Sequence, residues 1–412
     1  VSTRLSRNHN YRLLWASQAL TGFGINASMI AFPLLVLTVT GSAASSGLVL
    51  GAIAAAQLLV GLPAGALVDR WNRKNVMLAC EAAQAIALAS LVGALWWDRA
   101  SVAHMVAVAV VIGVCAALFT PAEEASLPSV VPAEQLSTAV AMNSARGYLG
   151  HLSGTAAGGF LFAAGRALPF VADVLTHATA FVALAFLRLP SGEVRAQPSR
   201  HLGREMAAGL RWVWRQPHIR VTALCAVVLN LFFSAFYIVV IVLAQARGVP
   251  TGEIGVMAAM LGVGGVVGAL VAPYLHRALR PQASIIGVFW VLTVLTPVAA
   301  LISSGYLMGV LFFAMALLPP TANTTIITRQ LLLTPDELRG RLSGVMGLTA
   351  GLAAAVGPVL GGFLASAVSG ERAVLLCAGG IAVATLLVTI SPTMRGFPRH
   401  QAVAEPAVVG SA

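Results

Sequence analysis

Long apolar runs separated by short polar breaks dominate the chain, and twelve of them cover residues 13–38, 46–68, 76–97, 102–119, 137–164, 168–187, 219–243, 253–275, 283–302, 306–322, 342–367 and 373–390. A helix needs roughly 20 apolar residues to cross a bilayer core. The pattern therefore predicts an all-α membrane protein of twelve transmembrane helices. One polar break is longer than the others, and it opens with Pro190, Ser191, Gly192 and Pro198. It divides the chain into a six-helix bundle at 1–187, a linker at 188–218, a second six-helix bundle at 219–391 and a tail at 392–412. In the linker, Leu202, Met206, Leu210 and Val213 recur at helical spacing against Arg204, Arg211 and Arg215. That spacing fits an amphipathic helix, lying in the membrane interface or simply solvated.

The two halves resemble each other. Residues 132–161 align without a gap onto 335–364 at a constant offset of 203, pairing Glu134 with Glu337, Gly154 with Gly357, Gly158 with Gly361, Gly159 with Gly362 and Phe160 with Phe363. The same offset lays 65–68 on 268–271. Shared apolar composition does not readily put Pro, Glu, Gly and Gly-Gly-Phe in one register, so the expectation is two pseudo-symmetric halves. Parallel repeats of this kind place a binding site near the bilayer midplane between them.

Composition agrees with a lipid solvent: 58% of residues are hydrophobic and 9% charged, against about 25% charged in soluble domains. The net charge of +11 lies in short loops and forms no basic stripe with interleaved aromatics, which argues against nucleic acid. Loop charge also predicts orientation, because Lys and Arg resist translocation. Of 25 such residues, the loops on the N-terminal side hold 20; the opposite loops hold Arg99, Arg166, Arg247 and Arg372, and Arg146 lies inside a run. Both termini are expected in the cytoplasm, with no cleavable signal ahead of the first span. Cys80, Cys115, Cys225 and Cys377 all fall within spans and read as small packing residues. No metal-ligand spacing or cofactor motif occurs, nor a catalytic constellation of the His-Glu-x-x-His kind.

The loop after the second run reads GLPAGALVDRWNRK over 61–74. Gly61 and Gly65, four apart, allow close helix approach; Asp69 ends the span, where a carboxylate can face the positive end of a neighbouring helix; Arg70, Arg73 and Lys74 follow. In the fifth run Gly150, Gly154, Gly158 and Gly159 form a small-residue stripe, matched in the eleventh by Gly357, Pro358, Gly361 and Gly362. The 61–74 loop resembles the signature loop of the major facilitator superfamily, and the glycine stripe resembles its antiporter motif, with Thr155 where the family pattern has proline. Further stretches, among them 11–15, 32–42, 121–128, 209–214 and 335–341, resemble the macrolide-efflux and enterobactin-exporter branch. The resemblance implies twelve spans and export of small, often amphipathic molecules. The expectation is proton-driven, alternating-access efflux of small amphipathic or lipophilic molecules by a monomer in the bacterial inner membrane, with uptake of a nutrient by the same fold, or a non-transporting scaffold or sensor, as the alternatives. The resemblance also implies a cytoplasmic latch between Asp69 and the start of the eleventh span near Arg341. In this sequence Ile25 and Asn26 follow Gly24, where the branch often has an Asp.

Ionisable groups inside a span are costly and mark function. The candidates for coupling are Glu81, Arg146, His151, Asp173 and His177, with Asp173 and His177 one helical turn apart and able to share a proton. If the superfamily arrangement holds, the first, fourth, seventh and tenth spans line the substrate cavity, where Gln18, Asn26, Asn230, Ser234, Tyr237, Thr321 and Asn323 would contact a small molecule or bond other helices. No acid occurs in mid-membrane there, which favours a neutral or anionic amphipath over a simple organic cation.

Overall fold

The computed structural model describes residues 5, 8–68, 70–132, 135–188, 210–333 and 336–395. Asp69, Glu134 and most of the linker lie outside them, as do the side chain of Arg341 and the surroundings of Gly65. The described residues are helical apart from short turns and connections, and they contain no strand. In the first half run α1 (His9–Thr40), α2 (Ala43–Val68), α3 (Arg73–Trp96), α4 (Val102–Val130), α5 (Leu136–Ala164) and α6 (Leu168–Ala185). The second holds α7 (Pro217–Ala246), α8 (Thr251–Ala278), α9 (Pro281–Val298), α10 (Gly305–Ala316), α11 (Pro319–Leu333), α12 (Asp336–Ala367), α13 (Gly370–Ile390) and the short α14 (Pro392–Arg395). Residues 210–215 of the linker are helical as well.

Among the described residues, ten helical segments are long and apolar enough to cross a membrane, α10 and the start of α11 counting as one. The other two of the twelve are α9, which is short, and α5, which carries Arg146 and His151. Asn8, Asn72 and Ser101 cap α1, α3 and α4 by accepting backbone N–H bonds from Tyr11, from Lys74 and Asn75, and from His104. Gly41 closes α1 with φ +67, a conformation that costs a glycine nothing. The tenth span, expected at 306–322, continues to Leu333 and is interrupted at 317–318. Pro319 and Pro320 follow the break; proline lacks the N–H a helix needs and disfavours helical geometry in the residue before it.

Within the first half α1 packs on α5 and α6; within the second α7 packs on α12 and α13. The halves meet chiefly through two helix pairs, α2 with α12 and α5 with α8. At the end of the bundle away from the termini these pairs touch backbone to backbone. A Cβ on Gly159 would lie 2.6 Å from Gly255 Cα, and one on Gly362 would lie 3.0 Å from Gly47 Cα. Toward the other end, Gly61, Gly147, Gly265 and Gly347, one on each of the same four helices, have nothing within 4 Å of a Cβ position. Among the described residues the halves are therefore closed together at one end and stand apart at these positions toward the end that bears the termini.

Candidate functional site

Helix α3 buries Met77, Cys80, Glu81, Gln84, Leu88 and Leu91 along one face, the 3.6-residue spacing of a helix turned to a core. Glu81 is the acid on that face and is 1% exposed. Gln18 Nε2, from α1, donates to Glu81 Oε1 at 3.0 Å, and His177 Nδ1, from α6, lies 2.6 Å from Glu81 Oε2. On its other side His177 Nε2 faces Asp173 Oδ1 at 3.4 Å. Thr176 Oγ1 donates to the Asp173 carbonyl at 2.8 Å. Asp173 and His177 are 1% and 0% exposed. One imidazole thus bridges two carboxylates away from water. With one proton among them the cluster is an anion, and with two it is neutral; a buried charge is expensive enough for this difference to matter.

The cluster bears directly on α1. A Cβ on Gly24 would sit 2.6 Å from Asp173 Oδ1 and would also strike the Thr176 hydroxyl, so only glycine admits the carboxylate here. The acid that the branch often has after this glycine is absent, and α6 presents Asp173 to the same turn of α1 instead. Two residues on, Asn26 Oδ1 lies 2.7 Å from His151 Nδ1 of α5. The His151 ring is exposed and reaches α8, where a Cβ on Gly262 would meet it at 3.0 Å. Helix α1 therefore joins the buried cluster to an imidazole at the contact between the halves.

The remaining residues singled out in the sequence divide by surroundings. Gln18 and Thr321, expected to line the cavity or to bond another helix, are buried at 9% and 1% exposure; Gln18 bonds another helix, through Glu81 of α3. Asn230 and Asn323 are exposed, whereas Ser234 lies against Gly357 and Tyr237 stacks on Phe312 at 6.1 Å. Arg146 pairs with Glu123 of α4 at 2.8 Å, which supplies a local anion for it. Arg73 Nη1 donates to the Ala125 carbonyl at 2.8 Å and Lys74 Nζ to that of Ala185 at 2.7 Å. Lys74 thus binds the last carbonyl of α6, the negative end of that helix, whereas Arg73 binds one more than a turn before the end of α4. Glu123 and the Gln18–Glu81 bond escaped the sequence reading, since spacing along one chain does not tell which spans will face each other.

Gly154 and Gly158 meet α1: a Cβ on Gly154 would lie 2.9 Å from Asn26 Cβ, and one on Gly158 2.5 Å from Ala27 O. Gly357 and Gly361 meet α7 in the same way, at Ser234 Cβ, 2.5 Å, and Ala235 Cα, 2.8 Å. Neighbouring Gly159 and Gly362 face the opposite half. Each stripe thus binds its own half with one side and the other half with the next residue.

Residues 4–405 match the family described as transmembrane secretion effector. The chain belongs to that family, within the major facilitator superfamily. Among its relatives, the multidrug efflux pump Tap of Mycolicibacterium fortuitum is 30% identical over 86% of this chain and 89% of that protein. The enterobactin exporter EntS of Citrobacter koseri is 26% identical over 86% and 82%. In fold, the nucleoside transporter NupG superposes with a TM-score of 0.75 at 12% identity, over 94% of this chain and 100% of that one. A bacterial homologue of the iron transporter ferroportin in an inward-facing state gives 0.73 at 17% identity, over 94% and 98%. As a transmembrane secretion effector the chain is a multi-span membrane transporter of small molecules and not an enzyme.

Proposed function

We propose that this transporter exports small neutral or anionic amphipaths across the bacterial inner membrane by alternating access, drawing on the proton gradient through Glu81, His177 and Asp173. The loop charge, 20 of 25 Lys and Arg on the terminal side, supports cytoplasmic termini, so the parted end of the bundle opens inward. The observation that carries the reading is the seating of a proton-binding cluster against Gly24 of α1. A change in the cluster's charge acts on α1, whose Asn26 bonds the α5 imidazole, His151, that reaches the other half. The chain works alone, because one polypeptide supplies both walls of the cavity. Two six-helix units rock about the glycine contacts; when the inner end closes, Asp69 latches onto the start of α12 near Arg341.

Export in everted vesicles tests the reading. An imposed gradient, acid inside, should drive accumulation of an amphipath in wild-type vesicles, and His177→Asn should abolish the gradient dependence while leaving downhill movement. Equal gradient-driven accumulation by His177→Asn would refute coupling through the cluster.

A further inference from the structure

The matched glycine contacts fix which residues of α1 and α7 are equivalent. Gly158 lies on Ala27 and Gly361 on Ala235, while Gly154 lies on Phe23 and Gly357 on Leu231. Counting back nine positions from Ala27 and from Ala235 sets Gln18 against Ala226. In the first half the Gln18 side chain fills the space toward α3. In the second half Ala226 leaves that space open, and a partly open cavity of about 60 Å³ lies there among α7, α9, α11 and α13. It holds roughly four times the volume one water needs, room for about four heavy atoms. Among the described residues the lining is uncharged and mostly aliphatic, with Val288 and Ala322 among its walls and Cys225 beside Ala226. Two carboxamides stand in its lining, Asn230 and Asn323, and both are exposed. Asn230 Nδ2 donates to its own helix at Ala226 O, 2.7 Å, which leaves its oxygen free to accept. Asn323 has no side-chain partner among the described residues.

We propose that this cavity is a substrate subsite: it takes a branched aliphatic arm of a neutral amphipath while Asn230 and Asn323 hold an amide or hydroxyl group at its mouth. The proposal rests on the export reading above and names the kind of molecule exported. An apolar arm of about four carbons matches the room and the lining, and an indole does not. The paired carboxamides offer both donor and acceptor, so the group at the mouth is polar and uncharged.

Three neutral probes test it: the dansyl amides of glycinamide, leucinamide and tryptophanamide. Binding is read on the full-length protein by protection of Cys225 from N-ethylmaleimide; the other three cysteines are buried. Transport is read separately as uptake into everted vesicles. The leucine probe should protect Cys225 at about one-tenth the concentration the glycine probe needs, the discrimination expected of an apolar pocket, and the tryptophan probe should do no better than glycine. Ala226→Leu, and independently Ala322→Val, should erase the leucine advantage in both readouts. Equal protection by the three probes, no protection by any, or a leucine advantage that survives both substitutions overturns the subsite. Selective protection without vesicle uptake overturns the export reading and upholds the subsite, while uptake without leucine preference does the reverse.

Discussion

Gly158 on Ala27 in the first half and Gly361 on Ala235 in the second are the same contact made twice. The helices behind them are not filled the same way. In the first half Gln18, Glu81, His177 and Asp173 form a buried polar cluster. In the second, the 203-residue offset of the repeat puts Ser284 where Glu81 stands, and Ser284 meets the Thr325 hydroxyl at 3.2 Å beside the cavity left by Ala226. Close backbone contact sets the frame, and it tolerates no side chain. Chemistry is carried by residues one layer further out, where the halves are free to differ. On the proposed reading, one half then binds protons while the other presents apolar surface to cargo.

The comparison breaks most severely at the shared contact. Gly158→Leu and Gly361→Leu should each abolish transport while the protein still inserts, because either wedges a first helix from its partner; transport by either variant at normal expression would show that stripe to be incidental. Removing the bridge of the charged half comes next. His177→Leu leaves two buried carboxylates without their imidazole and should lower stability by about 3–5 kcal/mol, read as thermal unfolding in detergent, and an unchanged melting curve would mean the cluster is not held as described. Asp173→Asn should alter the pH dependence of transport more than substrate affinity, and an unaltered pH profile would assign Asp173 to structure. Asp69→Asn should slow turnover severalfold, since a helix-end carboxylate contributes about 0.3–2 kcal/mol, whereas Ala272→Ser at the repeat-equivalent site should be nearly silent; cysteine accessibility at the inner face measures both. Smallest is Ser284→Ala, which removes one interhelical hydrogen bond worth about 0.6 kcal/mol and should leave the pH profile untouched.

The architecture was legible because its causes are local or repetitive. Run length marks the spans, and the offset between Gly154 and Gly357 marks the repeat. The break at 317–318 was missed because apolar composition continues across it, although Pro319 and Pro320 announce it. The candidate site was legible only as single residues. Glu81, Asp173 and His177 stand out as ionisable groups within spans, but whether Glu81 meets His177 depends on how α3 turns toward α6, which no spacing within either helix records. Gln18 looked like a cavity residue for the same reason, since a carboxamide on a first span reads alike on either face. Arg146 could not be paired in advance because Glu123 sits on a separate helix.

The Glu81–His177 bond spans 96 residues of sequence, which has a consequence for biosynthesis. At the usual 5–20 residues per second, about 5 to 20 s separate the synthesis of Glu81 from that of His177. For that interval α3 carries an acid into the membrane before its imidazole exists. Gln18 is already there, having been made 63 residues earlier. The carboxamide is therefore the partner of Glu81 that has already been synthesised when the acid enters the membrane.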